Sequence, residues 1–210
     1  MHCINVHTHR AVAGETVLRT AGIHPWLAGE YEIADAAALR TALNGMLDCA
    51  QAIGETGLDF ACSADKRAQE RLFRAHLELA AGMHLPVVVH CVRAFEPVMK
   101  ILGEYSLPAV VFHGFVGSKE QALRAVGRGY FLSFGVRSLR SARTVEAMRT
   151  IPVESLFIET DDDPTPVGEV CDAAAAMLGT DSETLAGQLY ANYKRLTDDI
   201  DQPRFAALRH

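Results

Sequence analysis

Five apolar runs in this sequence end in residues that can bind a metal ion. The first is Ile4-Asn5-Val6-His7-Thr8-His9, in which two imidazoles are spaced i, i+2. Residues so spaced in a strand point to one face, as two ligands of one cation would. Glu55 stands inside Ala52-Ile53-Gly54-Glu55-Thr56-Gly57-Leu58-Asp59. His90 follows Pro86-Val87-Val88-Val89, and His113 follows Ala109-Val110-Val111-Phe112. The last run ends in Ile158-Glu159-Thr160-Asp161. A lone histidine at a strand end is usually a hydrogen-bonded core or surface residue. Recurrence at five strand ends points to metal instead. Four histidines and at least two carboxylates suffice for two divalent ions with positions left open for water. Imidazole ligands favour zinc, manganese or similar ions over calcium.

The elements that must position these residues alternate along the chain. Strands are expected near 3–8, 16–22, 50–55, 86–91, 108–113, 129–134 and 154–159. Several are continuous apolar runs, which suit strands buried on both faces of a parallel sheet. Helical periodicity lies between most of them, at 33–47, 65–83, 95–102, 118–126, 138–148, 170–178 and 182–196. Asp65, Ser118 and Ser141 are suited to cap or open helices, and Gly179 to stop one. This alternation predicts an α/β fold with a parallel sheet, either a barrel or doubly wound. In a barrel, the five strand ends would converge on one mouth, where such folds place their chemistry.

Composition narrows the class. A chain of 210 residues, 49% apolar and 22% charged, fits one soluble domain over residues 1–210. No apolar run approaches the about 18 residues of a membrane span, and the N-terminus shows no secretory pattern. Five cysteines without a C-x-x-C indicate neither a disulfide framework nor a zinc knuckle, and a cytoplasmic location is expected. A net charge of −6 argues against broad affinity for duplex nucleic acid. It does not exclude a phosphate substrate held by bound metal ions.

The ordered set His-x-His, Gly-Ile-His-Pro, Gly-Glu-x-Gly-Leu-Asp, Pro-Val-x-x-His, His-Gly-Phe-x-Gly and Glu-Thr-Asp resembles the TatD family of metal-dependent hydrolases and DNases. The resemblance runs from residue 4 to about residue 164, and Ala191-Asn192-Tyr193 resembles the family's last helix. It implies a TIM-barrel-like (β/α) metal-dependent hydrolase fold, here shortened to seven strands. It implies two divalent metal ions, zinc, manganese or magnesium. His7 and His9 would bind the first and His90 and His113 the second. Glu55 would bridge them and serve the chemistry, while Asp161 would be both ligand and base for the attacking water. His24, Trp26, Arg93 and Arg137 would meet the substrate, and Glu159 and Asp59 would support the ligands or anchor loops. The implied activity is deoxyribonuclease or 3'-5' exonuclease cleavage of phosphodiester bonds on single strands or DNA ends. An amide, ester or lactone hydrolase on the same ions is the alternative. A TatD-like subunit of a larger, antiphage-type assembly is a second alternative, with a protein partner on the shortened barrel edge.

Four departures from the family pattern stand out. Only Arg10 to Ala21 separates His9 from Gly22-Ile23-His24-Pro25, where the family has a further βα unit. The arginine after His90 falls one position late, at Arg93, with Val92 in its place. Asn5 stands where the family has an acid, so it brings no charge to raise ligand basicity. His113-Gly114-Phe115 replaces the common His-Cys-Phe and loses a side chain. Elsewhere, His76 reads as a satisfied core residue, and His2, His84 and His210 as surface or terminus. Lys119, Arg137, Arg140 and Arg143 read as solvated helix surface or as a small cationic rim. Trp26 reads equally as a base-stacking group or a hydrophobic lid.

Overall fold

The computed structural model describes residues 3–10 and 12–197; His2, His210 and the tail past Asp201 lie outside the described residues. Two units emerge, residues 3–18 with Phe112–Thr197, and Arg19–Val111. The chain opens in the first unit with β1 (Ile4–Asn5) and β2 (Thr16–Val17). The second unit holds β3 (Thr20–Ala21), α1 (Ala36–Ala42), β4 (Ala52–Asp59), α2 (Lys66–Met83), β5 (Val87–Val92) and α3 (Phe95–Leu102). After β6 (Val110–Phe112) the first unit resumes. It continues with α4 (Lys119–Val126), β7 (Phe131–Phe134), α5 (Val136–Leu139), α6 (Ala142–Thr150), β8 (Leu156–Ile158), α7 (Val167–Leu178) and α8 (Ser182–Thr197). Among the described residues no helix is long and apolar enough to cross a membrane.

In the Arg19–Val111 unit, β4 pairs in parallel with β3 on one side and β5 on the other. All eight residues of β4 are buried, and so are Val87, Val88 and Val89 of β5. This is the double-sided burial that the continuous apolar runs predict. The ladder from β4 to β5 shifts register between Ile53 and Thr56, which brackets the cis Gly54–Glu55 peptide. α2 packs on β4 through an apolar face that includes Leu72, Phe73 and Leu77. Asp65 starts this helix, its Oδ1 accepting the Ala68 N–H at 2.8 Å.

In the other unit, β1 pairs in parallel with β2, and β7 with β8. The Val6 N–H donates to the Ile158 carbonyl at 3.1 Å, joining the chain after β1 to the end of β8. Phe134, Phe157 and Ile158 are fully enclosed. α8 docks through Asn192, whose Nδ2 donates to the Val153 and Leu156 carbonyls, both at 2.8 Å. The α4 cap is reciprocal: Gln121 N–H donates to Ser118 Oγ, and Ser118 N–H to Gln121 Oε1.

Several elements differ from expectation. The strand expected over 16–22 is two short pieces, because Thr16 and Val17 pair with β1 while Thr20 and Ala21 pair with β4. β1 is only two residues long, so His7 and His9 lie beyond it. The helix expected over 138–148 is broken into α5 and α6, with Ser141 Oγ capping the second piece by accepting the Thr144 N–H at 3.3 Å.

Candidate metal centres

In the Arg19–Val111 unit, His24, Glu55 and His90 each present a ligand atom within 4.8 Å of the others. Glu55 Oε1 lies 2.6 Å from His90 Nδ1 and 3.2 Å from His24 Nε2. Glycines bring these residues so close. Gly54 and Gly57 have φ of +145° and +144°, a conformation that side chains rarely adopt. A Cβ at Gly54 would stand 2.5 Å from the Val88 carbonyl oxygen, and one at Gly57 would overlap that of His90. A Cβ at Gly22 would stand 2.6 Å from the backbone of Gly54. The glycines of Gly-Ile-His-Pro and Gly-Glu-x-Gly therefore let backbones approach so that His24, Glu55 and His90 meet.

Hydrogen bonds orient the two rings. The Trp26 N–H donates to His24 Nδ1 at 3.2 Å. A neutral imidazole has one acceptor nitrogen, so the ring proton sits on Nε2 and points at Glu55. His24 is thus a hydrogen-bond donor here while it caps the turn Pro25–Leu27. One residue earlier, the Ile23 N–H donates to His76 Nε2 at 2.9 Å, and His76 Nδ1 faces the Leu72 carbonyl at 2.8 Å. Burial pushes the His76 imidazole down to about 4, so it is neutral near pH 7. His76 is a satisfied core residue, as read from the sequence, and it also anchors the chain that carries His24.

Asp59 stands on the far side of His90, with Oδ2 at 3.3 Å from Nε2. The same oxygen accepts the Trp26 Nε1–H at 2.7 Å, and Oδ1 accepts the Ala61 N–H at 2.7 Å. Burial pushes the Asp59 carboxyl up, but Trp26, Ala61 and His90 outweigh it and hold the group below the usual carboxylate range. A carboxylate behind a ligating imidazole fixes its tautomer and orientation. The Trp26 ring itself stays 59% exposed, edge-on to His24 with centroids 4.7 Å apart. Arg93 lies exposed beyond the end of β5, at φ +52°.

In the other unit the donors form two triplets that share Asp161: His7 with His9, and His113 with Glu159. Backbone pairing builds the first. Thr8 and Asp161 form an isolated parallel bridge. The Asp161 N–H donates to the His7 carbonyl at 3.1 Å, and the His9 N–H to the Asp161 carbonyl at 2.9 Å. The i, i+2 histidines flank Thr8 in this bridge, so the expected same-side logic operates past the end of β1. Asp161 Oδ1 lies 3.5 Å from His9 Nε2 and 3.9 Å from His7 Nε2. Asp161 adopts a left-handed φ of +53°, which Asp tolerates better than most residues. The His7 and His113 rings are 4.4 Å apart, and His113 Nδ1 lies 3.4 Å from Glu159 Oε1. Burial pushes the Glu159 carboxyl up, but His113 and His7 outweigh it and hold the group below the usual range. Gly114 has φ +51°, so its lack of a side chain suits the backbone. Arg137 is exposed in the first turn of α5.

Both donor sets suit a divalent cation of the zinc or manganese kind, since each mixes imidazole nitrogen with carboxylate oxygen. Glu159 Oε2 is in addition buried without a hydrogen-bond partner in the structure, which leaves a lone pair for a cation. Of the residues in these triplets, sequence reasoning gave His7, His9, Glu55, His90, His113 and Asp161 as ligands, but His24 as a substrate contact and Glu159 as a supporting group. It missed Glu15 and Thr160 beside Asn5, Thr8 beside Thr160, and the Ile23 contact of His76. Thr160 was visible in Glu-Thr-Asp, whereas nothing local marked Glu15.

A parallel α/β fold that gathers imidazoles and carboxylates in this way is that of a metal-dependent, TIM-barrel-like hydrolase. The family described as TatD related DNase matches residues 4–198, and the chain belongs to it. It is 30% identical over 204 residues to the 3'-5' ssDNA/RNA exonuclease TatD of Salmonella typhimurium, covering 86% of this chain and 78% of that protein. The crystal structure of a TatD homologue from Escherichia coli K12 superposes with a TM-score of 0.76 at 26% identity, covering 87% of this chain and 77% of that one. A TatD family hydrolase from Entamoeba histolytica shares the fold with a TM-score of 0.75 at 18% identity, covering 89% and 76% of the two chains.

Proposed function

We propose that this chain is a metal-dependent deoxyribonuclease that removes nucleotides from single strands or DNA ends with 3'-5' polarity. One observation carries the reading: all six ligand-type residues of the matched motifs, His7, His9, Glu55, His90, His113 and Asp161, fall in donor triplets within their own units. The curated relative named as a 3'-5' ssDNA/RNA exonuclease supports the substrate class. The match over residues 4–198 supports a single hydrolase domain, and five cysteines without a C-x-x-C fit a cytoplasmic enzyme.

Two divalent ions would be held by these six residues. Such ions supply an activated water near neutral pH and charge stabilisation at the phosphoryl oxygens. Asp161, half-exposed beside His9, accepts the proton of the attacking water on its carboxylate. His24 exchanges the Glu55 oxygen that its Nε2–H faces for a phosphate oxygen, its other nitrogen being committed to the Trp26 N–H. Asp59 holds His90 in orientation through Nε2 and also pins the indole of Trp26. The exposed face of Trp26 offers a stacking surface for an unpaired base, a contact that favours single strands over duplex. Arg93 and Arg137 contact the phosphate backbone.

The test is cleavage of 3'- and 5'-labelled single-stranded DNA with Mn²⁺, Mg²⁺ or Zn²⁺, beside a panel of amide, ester and lactone substrates. Asp161→Asn is expected to lower cleavage by about a hundredfold to ten thousandfold, the range for a lost general base. His90→Ala is expected to abolish it and to reduce bound metal, with circular dichroism unchanged. Full nuclease activity in either variant, or acyl hydrolysis without phosphodiester cleavage, would overturn the reading.

A further inference from the structure

The missing acid at position 5 has a counterpart ten residues later. Asn5 is buried, and both its side-chain N–H groups and its side-chain oxygen are engaged. Its Nδ2 donates to Glu15 Oε2 at 3.0 Å and to Thr160 Oγ1 at 2.9 Å. Its Oδ1 accepts the Thr160 N–H at 3.1 Å. From there the chain of bonds continues in one direction. Thr160 Oγ1 donates to Thr8 Oγ1 at 3.0 Å, and Thr8 Oγ1 donates to the Asp161 carbonyl at 3.1 Å. Thr8 Oγ1 also accepts the Arg10 N–H at 3.0 Å.

Each hydroxyl has one proton to give, and the Asp161 carbonyl can only accept, so the direction of this chain is fixed at its Asp161 end. Thr160 has spent its proton on Thr8 and can only accept from position 5. Glu15, as a carboxylate, can only accept as well. Both neighbours therefore require a donor between them, and an amide provides two N–H groups there. An aspartate at position 5 would set its oxygen 3.0 Å from a Glu15 oxygen, with no proton for either neighbour. The carboxylate beside this position is that of Glu15, which meets Asn5 from the short segment between His9 and Gly22.

We infer that Glu15 is a positioning residue for the His7–His9–Asp161 triplet. Its carboxylate takes one N–H of Asn5 and so holds in place the amide whose other N–H begins the chain Asn5–Thr160–Thr8–Asp161. That chain holds Thr8 against Asp161, and Thr8 lies between the two histidines. Glu15 touches neither cation nor substrate and acts through Asn5. The inference rests on the metal-binding part of the proposed function, but not on its substrate class.

The experiment measures Mn²⁺ affinity by titration calorimetry of the full chain, beside kcat and KM on single-stranded DNA. The variants are Glu15→Gln, Glu15→Ala, Asn5→Asp and Asn5→Asp with Glu15→Gln. Partners behind metal ligands are worth about tenfold to a hundredfold in metal affinity. Asn5→Asp is expected to weaken Mn²⁺ binding by about a hundredfold, and Glu15→Ala by about tenfold. Glu15→Gln keeps an acceptor oxygen for Asn5 and is expected to bind within about threefold of wild type. The double variant restores a donor opposite an acceptor between positions 5 and 15. It is expected to regain at least about tenfold over Asn5→Asp alone, a coupling normal for residues in contact.

Glu15 is half-buried at the end of a loop, so its variants test the inference even where Asn5→Asp fails to fold. Wild-type affinity in Glu15→Ala, or a double variant no better than Asn5→Asp, would overturn it. Wild-type protein that binds none of Mn²⁺, Mg²⁺ and Zn²⁺ overturns both this inference and the proposed function. Protein that binds Mn²⁺ with the expected variant pattern but leaves DNA intact overturns the substrate class alone and supports the role of Glu15.

Discussion

The two donor groups are built by different means. His24, Glu55 and His90 are set by β4, β5 and the turn after β3, where backbones touch at glycines. Their placement is steric. His7, His9 and Asp161 follow a two-residue strand and a three-residue strand. Their placement rests on one backbone bridge and on the side-chain chain from Glu15 to Asp161. Close packing leaves no freedom to exchange one residue for another. A polar network can be rewired if donors and acceptors are exchanged together. The substitution of an expected acid by Asn5 falls in the second group and not in the first, as this difference requires.

The sharpest way to break the comparison is Gly57→Ala. The added Cβ would overlap the His90 carbonyl at a φ that favours glycine. Neither the backbone nor a buried neighbour can yield. Destabilisation of more than about 4 kcal/mol is expected, in the range reserved for such mechanisms. Urea denaturation, or loss of soluble folded protein, reads this out. A variant within about 1 kcal/mol of wild type would remove the steric account of the His24–Glu55–His90 group.

A smaller effect comes from pH. Burial lowers the His76 imidazole to about 4 in the folded chain, below its ordinary 6.5. The unfolded chain therefore takes up the proton first as pH falls. The contribution is full above about 6.5 and is lost progressively toward about 4, with a ceiling of about 3 kcal/mol. Other groups titrate in this range too, so the measurement is a difference. Denaturation midpoints at pH 7.5 and 4.5 are compared for wild type and His76→Gln. The wild type is expected to lose more stability than the variant over that interval. Equal losses would show that His76 does not hold the Ile23–His24 segment as a buried neutral acceptor.

Much of both groups was legible before the structure. Imidazoles and carboxylates ending apolar runs are visible because strand ends and ligand chemistry are both local properties. The helices were legible where their caps were, as with Asp65, Ser118 and Gly179. The rest depended on partners distant in sequence. The stretch 16–22 reads as one strand because nothing in its pattern breaks. Its ends nevertheless pair with different strands, which only the fold decides. Gly54 and Gly57 were visible as motif letters, but their reason lies in β5, some thirty residues away. Asn5 was visible as an anomaly. Its explanation needed both Glu15 and Thr160, one ten residues away and the other 155. Trp26 was open between stacking and lid, and its bond to Asp59 fixes the indole while leaving the ring exposed.

The smallest effect expected is at Gly114, the counterpart of Gly57 in the other group. Its φ of +51° is left-handed, and a Cβ would stand 3.3 Å from Glu159 Oε1. That neighbour is a side-chain oxygen and not a backbone carbonyl, so it can turn by a few tenths of an ångström. The cost of Gly114→Ala is then mainly the left-handed penalty, about 1–2 kcal/mol. Gly114→Asn should cost less, because Asn tolerates this region. Paired denaturation curves for Gly114→Ala and Gly57→Ala put the two groups on one scale. A cost at Gly114 equal to that at Gly57 would mean that the Asp161-centred donors are also locked by backbone contact. The freedom to exchange Asn5 and Glu15 together would then lack its physical basis.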